Sequence, residues 1–288
     1  MAMREALTEQ VTGLDALELP AAPRRSRAAR GWSSFWPKAL AAVLALLLWQ
    51  AAVWSGWKPH YVLPGPWTVL KELGHRLTDG SLPTAAGITL RRALVGFTLA
   101  ALVGTIVGSL VARIRVLRTA VGSLITGLQT MPSIAWFPLA ILLFKLSESA
   151  ILFVIILGAA PAIANGLITG SDHIPPIMLR AGRVLGARRL ALYRHVVLPA
   201  SLPSFVAGLK QGWSFAWRSL MAGELLVIIA HKQSIGVQLQ VAREFSDAPG
   251  LMATMLVILI IGIVVDSLFF GTIDRVIRRR WGLMEPTG

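Results

Sequence analysis

Residues 178–199 read MLRAGRVLGARRLALYRHVVLP. Five arginines (Arg180, Arg183, Arg188, Arg189, Arg194) fall within this run, yet strongly apolar sequence flanks it on both sides. A hydrocarbon core excludes so dense a set of guanidinium groups, because each charge there costs several kcal/mol. The run is therefore expected to be a helical loop joining two membrane spans, one at 149–170 and one at 199–230.

Composition agrees with that reading over the whole chain. The 288 residues are 55% hydrophobic and 15% charged, with a mean hydropathy of +0.66. Ordinary globular chains carry about 25% charged residues. Several windows of about 20 residues lack charge, which is the length that crosses a core of about 30 Å. The expected fold class is an all-α integral membrane protein with six transmembrane helices, at 39–57, 93–112, 119–144, 149–170, 199–230 and 251–273. Residues 1–38 hold no apolar run and read as a basic, disordered tail without a cleavable signal. Residues 39–280 form the membrane domain, with its loop at 172–198, and 281–288 a C-terminal tail. The net charge of +14 would suggest nucleic acid in a soluble protein. Here it fits cytoplasmic loops, where Lys and Arg accumulate. Six spans place both termini on one side. On that basis 18 basic residues lie on the side of the termini and of loop 172–198, against 8 opposite. That bias predicts cytoplasmic termini.

Two spans carry unusual features. Gly96, Gly104 and Gly108 lie on one face of the second, which suits close helix packing. The third is interrupted by Gln129-Thr130-Met131-Pro132 and by Pro138. Irregular backbone at membrane depth is tolerated beside protein or a water-filled cavity, so the break is either a packed kink or the border of a path.

The chain has no cysteine, which excludes disulfides, thiolate metal sites and cysteine nucleophiles. The five histidines form no metal-ligating pattern, and neither a phosphate-binding G-x-x-x-x-G-K-[ST] loop nor a G-x-S-x-G elbow occurs. Enzymatic activity and ATP binding by this chain are not expected.

At the loop the chain resembles importer-type ABC permeases. These carry a cytoplasmic signature of Glu-Ala-Ala, three residues, Gly, nine residues, then Ile-x-Leu-Pro. The matching positions are Arg180-Ala181-Gly182, Gly186 and Val196-Val197-Leu198-Pro199. The spacing is intact, with Arg180 in place of the acid, Gly182 in place of the second alanine and Val196 in place of isoleucine. Small residues at these positions suggest a smooth knob that enters a cleft on another protein, with Gly186 ending or bending the helix. The wider chain, from about Leu63 to Trp281, resembles the nitrate/sulfonate/taurine branch. The resemblance rests on Leu63-Pro64-x-Pro66, Thr89-Leu90-x-Arg92, Gln129-x-Met131-Pro132, Leu198-Pro199-Ala200-Ser201-Leu202-Pro203, Ala216-Trp217-Arg218 and Ala222-Gly223-Glu224. Its Trp217-Arg218 version looks most like aliphatic sulfonate permeases.

The resemblance implies a type I ABC importer permease in a bacterial inner membrane. It implies a second permease copy, two ATPase subunits that hold ATP and Mg, an extracytoplasmic substrate-binding protein, and no cofactor in this chain. Arg180, Ala181, Gly182, Arg183, Gly186 and Ala187 become the ATPase-coupling positions. Taurine and nitrate are alternative solutes. A different class of reading is an ATP-independent carrier or channel, which predicts inverted repeats and no docking loop.

The fifth span is the most polar. At about 100° per residue, Gln211, Ser214 and Arg218 lie within about 60° of one another, and they form one stripe. Two readings stand. The stripe lines a substrate path, with Arg218 attracting an oxyanion and Trp217 shaping the wall, or Arg218 pairs with Glu224, Asp266 or backbone carbonyls as structural glue. Lys210 is expected to snorkel toward the cytoplasm, and Asp266 and Asn165 to be packing groups.

Overall fold

The computed structural model describes residues 27–188, 190–230 and 232–280. The expectations for residues 1–26, Arg189, Trp281 and the tail 281–288 lie outside them. Among the described residues the chain is helical, without a strand.

Helix α1 (Arg27–Trp54) starts twelve residues before the expected span. The short α2 (Pro66–Thr78) follows a proline-rich turn, with Pro66 in its first turn where no N–H is needed. Helix α3 (Ser81–Arg113) has 33 residues, about 50 Å at 1.5 Å per residue. It outruns the hydrocarbon core and the expected span at 93–112, so Thr89-Leu90-Arg91-Arg92 lies inside the helix. The Ser81 backbone N–H donates to the Asp79 carboxylate at 2.8 Å, which holds that acid below the usual carboxylate range.

The third expected span is two helices, α4 (Arg115–Thr130) and α5 (Phe137–Phe144), joined by a 3-10 turn at Ser133–Trp136. They meet at 103°. Pro132 cannot donate to the ladder of α4 and its ring clashes with the preceding turn, which explains the break. Among the described residues five helices are long and apolar enough to cross a membrane, or six if the bent pair is one span.

Helix α6 (Glu148–Asp172) is the axis of the bundle. Over half of its apolar stretch is buried (56%), against 6% in α1. Small residues on its partners allow that burial. A methyl group at Gly104 would lie 2.6 Å from the Ala160 carbonyl, and one at Gly108 would lie 2.8 Å from that of Ala164. On the other side Gly166 and Gly208 bring backbones together, since a Cβ on either would sit within 2.8 Å of the other's Cα. The glycine face of α3 is thus a packing seam, as its spacing suggests.

Helix α7 (Pro176–Val184) lies in the loop after α6. Helix α8 (Leu198–Leu226) follows, entered through a turn at Leu190–Leu192 and a π-helical turn at Tyr193–Val197. Pro199 and Pro203 withhold two N–H groups there, and a widened turn is a common response to a disturbed ladder. Helix α9 (Ile235–Glu244) lies in the stretch between the expected spans at 199–230 and 251–273. Helix α10 (Ala248–Val264) runs through a second π turn (Val265–Phe270) into α11 (Gly271–Arg280).

Candidate functional site

Three places on this frame hold chemistry, and they lie at different depths. The first is the end of the bundle remote from α7. There the starts of α3, α6 and α9 meet the end of α8. Glu224, on α8, is fully buried. Its carboxylate accepts from Arg92 Nη1 at 2.9 Å, from Thr89 Oγ1 at 2.9 Å and from the Gly236 N–H at 3.0 Å. Thr89 Oγ1 also accepts from the Ile235 N–H at 3.0 Å. Two orphan donors at the start of α9 are thus satisfied by side chains from α3 and α8. Gly236 permits this approach, because a Cβ there would lie 2.3 Å from that of Glu224. The other face of Arg92 donates to Glu148 at 2.9 and 3.1 Å, and Lys232 Nζ reaches the same carboxylate at 2.7 Å. Two acids and two cations therefore join four helices and the loop before α9.

The sequence reading missed this network. It offered Glu224 only Arg218 as a partner and placed Arg92 just outside the second span, whereas the structure pairs the two. The available signal was the Thr89-x-x-Arg92 spacing, which puts both side chains on one helix face, together with a carboxylate in a span, which demands a cation.

The second place is mid-bundle. Trp217 is buried, stacks on Trp213 at 6.2 Å between ring centroids, and joins the main apolar core. Gln211 and Arg218 are exposed and Ser214 is half-buried, so the stripe lies on an open face of α8. Arg218 Nε donates to the Ser214 carbonyl at 3.1 Å and its guanidinium lies 4.8 Å from the Phe215 ring centroid. Glu224 belongs to Arg92, and Asp266 pairs with Lys210 at 3.2 Å. Among the described residues no carboxylate pairs with Arg218. Of the structural partners considered for it, only a backbone carbonyl is found. Lys210 ties α8 to the π turn that carries Asp266. At the break, Gln129 Nε2 lies 3.4 Å from the Pro161 carbonyl of α6.

The third place is the loop. Helix α7 ends in a glycine cap. Gly186 has φ +86°, its N–H donates to the Arg183 carbonyl at 3.0 Å, and the Ala187 N–H reaches the Gly182 carbonyl at 2.9 Å. This is a Schellman arrangement with Gly186 in the left-handed position. Arg180, Ala181, Arg183 and Gly186 are exposed, Ala187 is half-buried, and Gly182 is buried. A Cβ on Gly182 would meet Leu192 and Val196 within 2.9 Å. The small residue therefore seats the helix on its own chain instead of forming an outward knob. The outward side is bulkier, with Ile177, Met178, Val184 and Leu185 exposed. Two contacts fix the loop to the spans. Arg118 of α4 pairs with Asp172 at the end of α6, and the Arg113 guanidinium of α3 lies 4.8 Å from the Tyr193 ring centroid.

Residues 100–282 match the family model described as "Binding-protein-dependent transport system inner membrane component". A probable ABC transporter permease protein of Brucella melitensis is 31% identical over 207 residues, covering 72% of this chain and 83% of that one. The taurine transport system permease protein of Escherichia coli is 28% identical, covering 78% and 82%. The putative aliphatic sulfonates transport permease protein of Bacillus subtilis is 27% identical, covering 81% and 83%. Among solved structures, the inward-facing MetNI methionine ABC transporter superposes with a TM-score of 0.59 at 19% identity, over 69% of this chain and 97% of that one.

Proposed function

The chain belongs to the binding-protein-dependent transport system inner membrane components: it is a multi-pass permease component of an ABC importer of the nitrate, taurine and sulfonate family, and we propose that its solute is an aliphatic sulfonate. ATP hydrolysis resides in two separate ATPase subunits, which hold ATP and Mg, and this chain carries no cofactor. A second copy of the chain completes the path, and an extracytoplasmic binding protein delivers the solute. The termini and α7 face the cytoplasm of a bacterial cell.

The observation that carries this reading is the build of the loop. A short helix is capped by Gly186 and seated through Gly182, within a loop whose two ends are tied to α4 and α3, and it turns an apolar and basic side outward. A helix held so firmly with apolar side chains in water is suited to a protein partner. Arg180, Ala181, Arg183 and Gly186 lie on or beside that outward side. Gly182 acts from beneath, and Ala187 closes the cap. When the ATPases close on ATP the paired α7 helices approach and the cavity opens outward, and hydrolysis reverses both steps. Gln211, Ser214 and Arg218 line the path, with Trp217 behind them as a wall fixed by Trp213. An arginine held by a backbone carbonyl and an aromatic face keeps donors for an oxyanion without a competing carboxylate.

The test is uptake by the assembled importer in proteoliposomes, with butanesulfonate, taurine and nitrate offered separately. ATP-dependent butanesulfonate uptake exceeding the other two is expected. Preference for taurine or nitrate replaces the solute but keeps the permease. Uptake that survives deletion of 176–187 with no ATPase bound would identify an ATP-independent carrier.

A further inference from the structure

A cleft of about 390 Å³ opens between α3 and α6 at the end remote from α7, lined by Ile88, Arg91, Arg92, Val95, Glu148, Leu152 and Lys232. We propose that it binds an amphiphilic oxyanion, a sulfonate or phosphate head carrying an apolar tail.

The charges point to the head. Three cations line the cleft against one acid, because Glu224 is turned away and fully engaged by Arg92, Thr89 and Gly236. Arg92 is fixed between Glu224 and Glu148. Lys232 and Glu148 form a half-exposed pair, which is weak and readily exchanged. Arg91 is exposed and has no ion-pair partner among the described residues. An arriving oxyanion can therefore take Arg91 and Lys232 without opening the Arg92–Glu224 contact. The other wall is apolar, formed by Ile88, Val95 and Leu152. Nitrate would leave that wall unused, whereas an alkyl chain would cover it. The volume falls in the usual range of small-ligand sites.

Two sources present this chemistry, an alkyl sulfonate in transit and the headgroup of an anionic lipid. The first rests on the sulfonate reading above and on the remote end facing outward, and the second does not. The purified permease–ATPase complex in detergent is titrated by calorimetry with hexanesulfonate and, separately, with dioctanoylphosphatidylglycerol. Wild type is compared with Arg91→Gln, Arg91→Gln/Lys232→Gln and Leu152→Asn. At least one probe is expected to bind wild type. The double variant should weaken it by about tenfold or more, the scale of a lost charge-assisted contact. Leu152→Asn should flatten the gain in affinity from methanesulfonate to hexanesulfonate, or from short to longer acyl chains. Binding of hexanesulfonate assigns the solute, and binding of the lipid alone assigns a headgroup site. Arg91→Gln touches no described ion pair, so it separates recognition from folding. Wild type that binds neither probe, or affinities unchanged in both arginine variants, overturns the cleft. Uptake assays then stand apart: sulfonate uptake that the cleft variants leave unaltered removes the in-transit source alone, and absent sulfonate uptake removes the solute reading alone.

Discussion

Arg92 and Glu224 meet inside the bundle at 2.9 Å, with only 5% of the arginine side chain and none of the carboxylate exposed. A carboxylate in that setting needs every lone pair occupied, and Thr89 and Gly236 supply the remaining donors. The pair joins α3 to the far end of α8 and fixes the start of α9. It is a structural joint at the end of the bundle opposite α7.

Removing both partners should therefore cost less than the two separate removals added together. Glu224→Ala leaves a buried guanidinium with Glu148 alone and should destabilise the protein by about 3–5 kcal/mol. The double change Arg92→Leu/Glu224→Leu should cost clearly less than the sum of the single changes. Thermal unfolding of the detergent-solubilised protein reads both, and strict additivity would show that the two side chains are independent.

The glycine seam around α6 gives a second prediction. Gly208→Val drives two methyl groups toward the backbone of Gly166, where even a single Cβ would lie 2.8 Å from Cα. Overpacking of this kind costs about 1–3 kcal/mol, more where backbone is the obstacle. Gly122 on α4 has nothing within 4 Å of its Cβ position. Gly122→Ala should be neutral or stabilising by up to about 1 kcal/mol, since glycine is a poor helix residue. Equal melting shifts for the two variants would sink the seam.

Much of this architecture was legible in the sequence because membrane burial writes long signals. Uncharged runs marked the spans, and the glycines at 96, 104 and 108 marked the face that meets α6. Gly186 was legible as the stop of α7, since only a residue tolerant of positive φ sits easily there. What stayed hidden was pairing across the fold. Glu224 and Arg92 are 132 positions apart, and no local pattern says which cation an intramembrane acid will meet. Lys210 with Asp266 is the same case. The inward orientation of Gly182 was also hidden, because small residues suit both a buried seat and an exposed knob.

The ties between loop and spans should matter for coupling more than for stability. Arg118 and Asp172 are each well over a third exposed or close to it, and such pairs contribute about 0.2–1 kcal/mol. Arg118→Asp should therefore leave the melting temperature nearly unchanged. If the pair passes motion of α7 to the bent α4–α5 unit, the same variant should lower uptake per ATP hydrolysed by about fivefold or more, the low end of coupling energies. The swap Arg118→Asp/Asp172→Arg should restore most of it. No recovery in the swap would assign the loss to other contacts of these residues.

Arg218 is held by the Ser214 carbonyl and the Phe215 ring, with no carboxylate partner described. Its removal should consequently spare assembly. Arg218→Gln is expected to reduce sulfonate uptake by about tenfold, the scale of a lost charge-assisted contact, while copurification with the ATPase is unchanged. Arg218→Lys should recover part of the rate, since it keeps the charge without the planar fork. Full uptake in the glutamine variant would remove Arg218 from the path.

The exposed side of α7 yields the sharpest separation of roles. The Arg180 side chain is exposed beside Ile177 and Val184. Charge at that position has no described partner to lose within the chain. Arg180→Glu should therefore leave ATPase binding and coupled uptake within about fivefold, because one exposed charge contributes less than about 1 kcal/mol. Leu185 and Val184 are 86% and 87% exposed, so altering them costs the permease little. Burying a leucine on a partner is worth about 1.5–3 kcal/mol, which is roughly ten- to hundredfold in affinity. Leu185→Asp should accordingly release the ATPase, read by copurification and by loss of transport-linked hydrolysis, without moving the melting temperature. If instead Arg180→Glu uncouples the complex and Leu185→Asp does not, the partner reads the basic face of α7 and the apolar side is incidental.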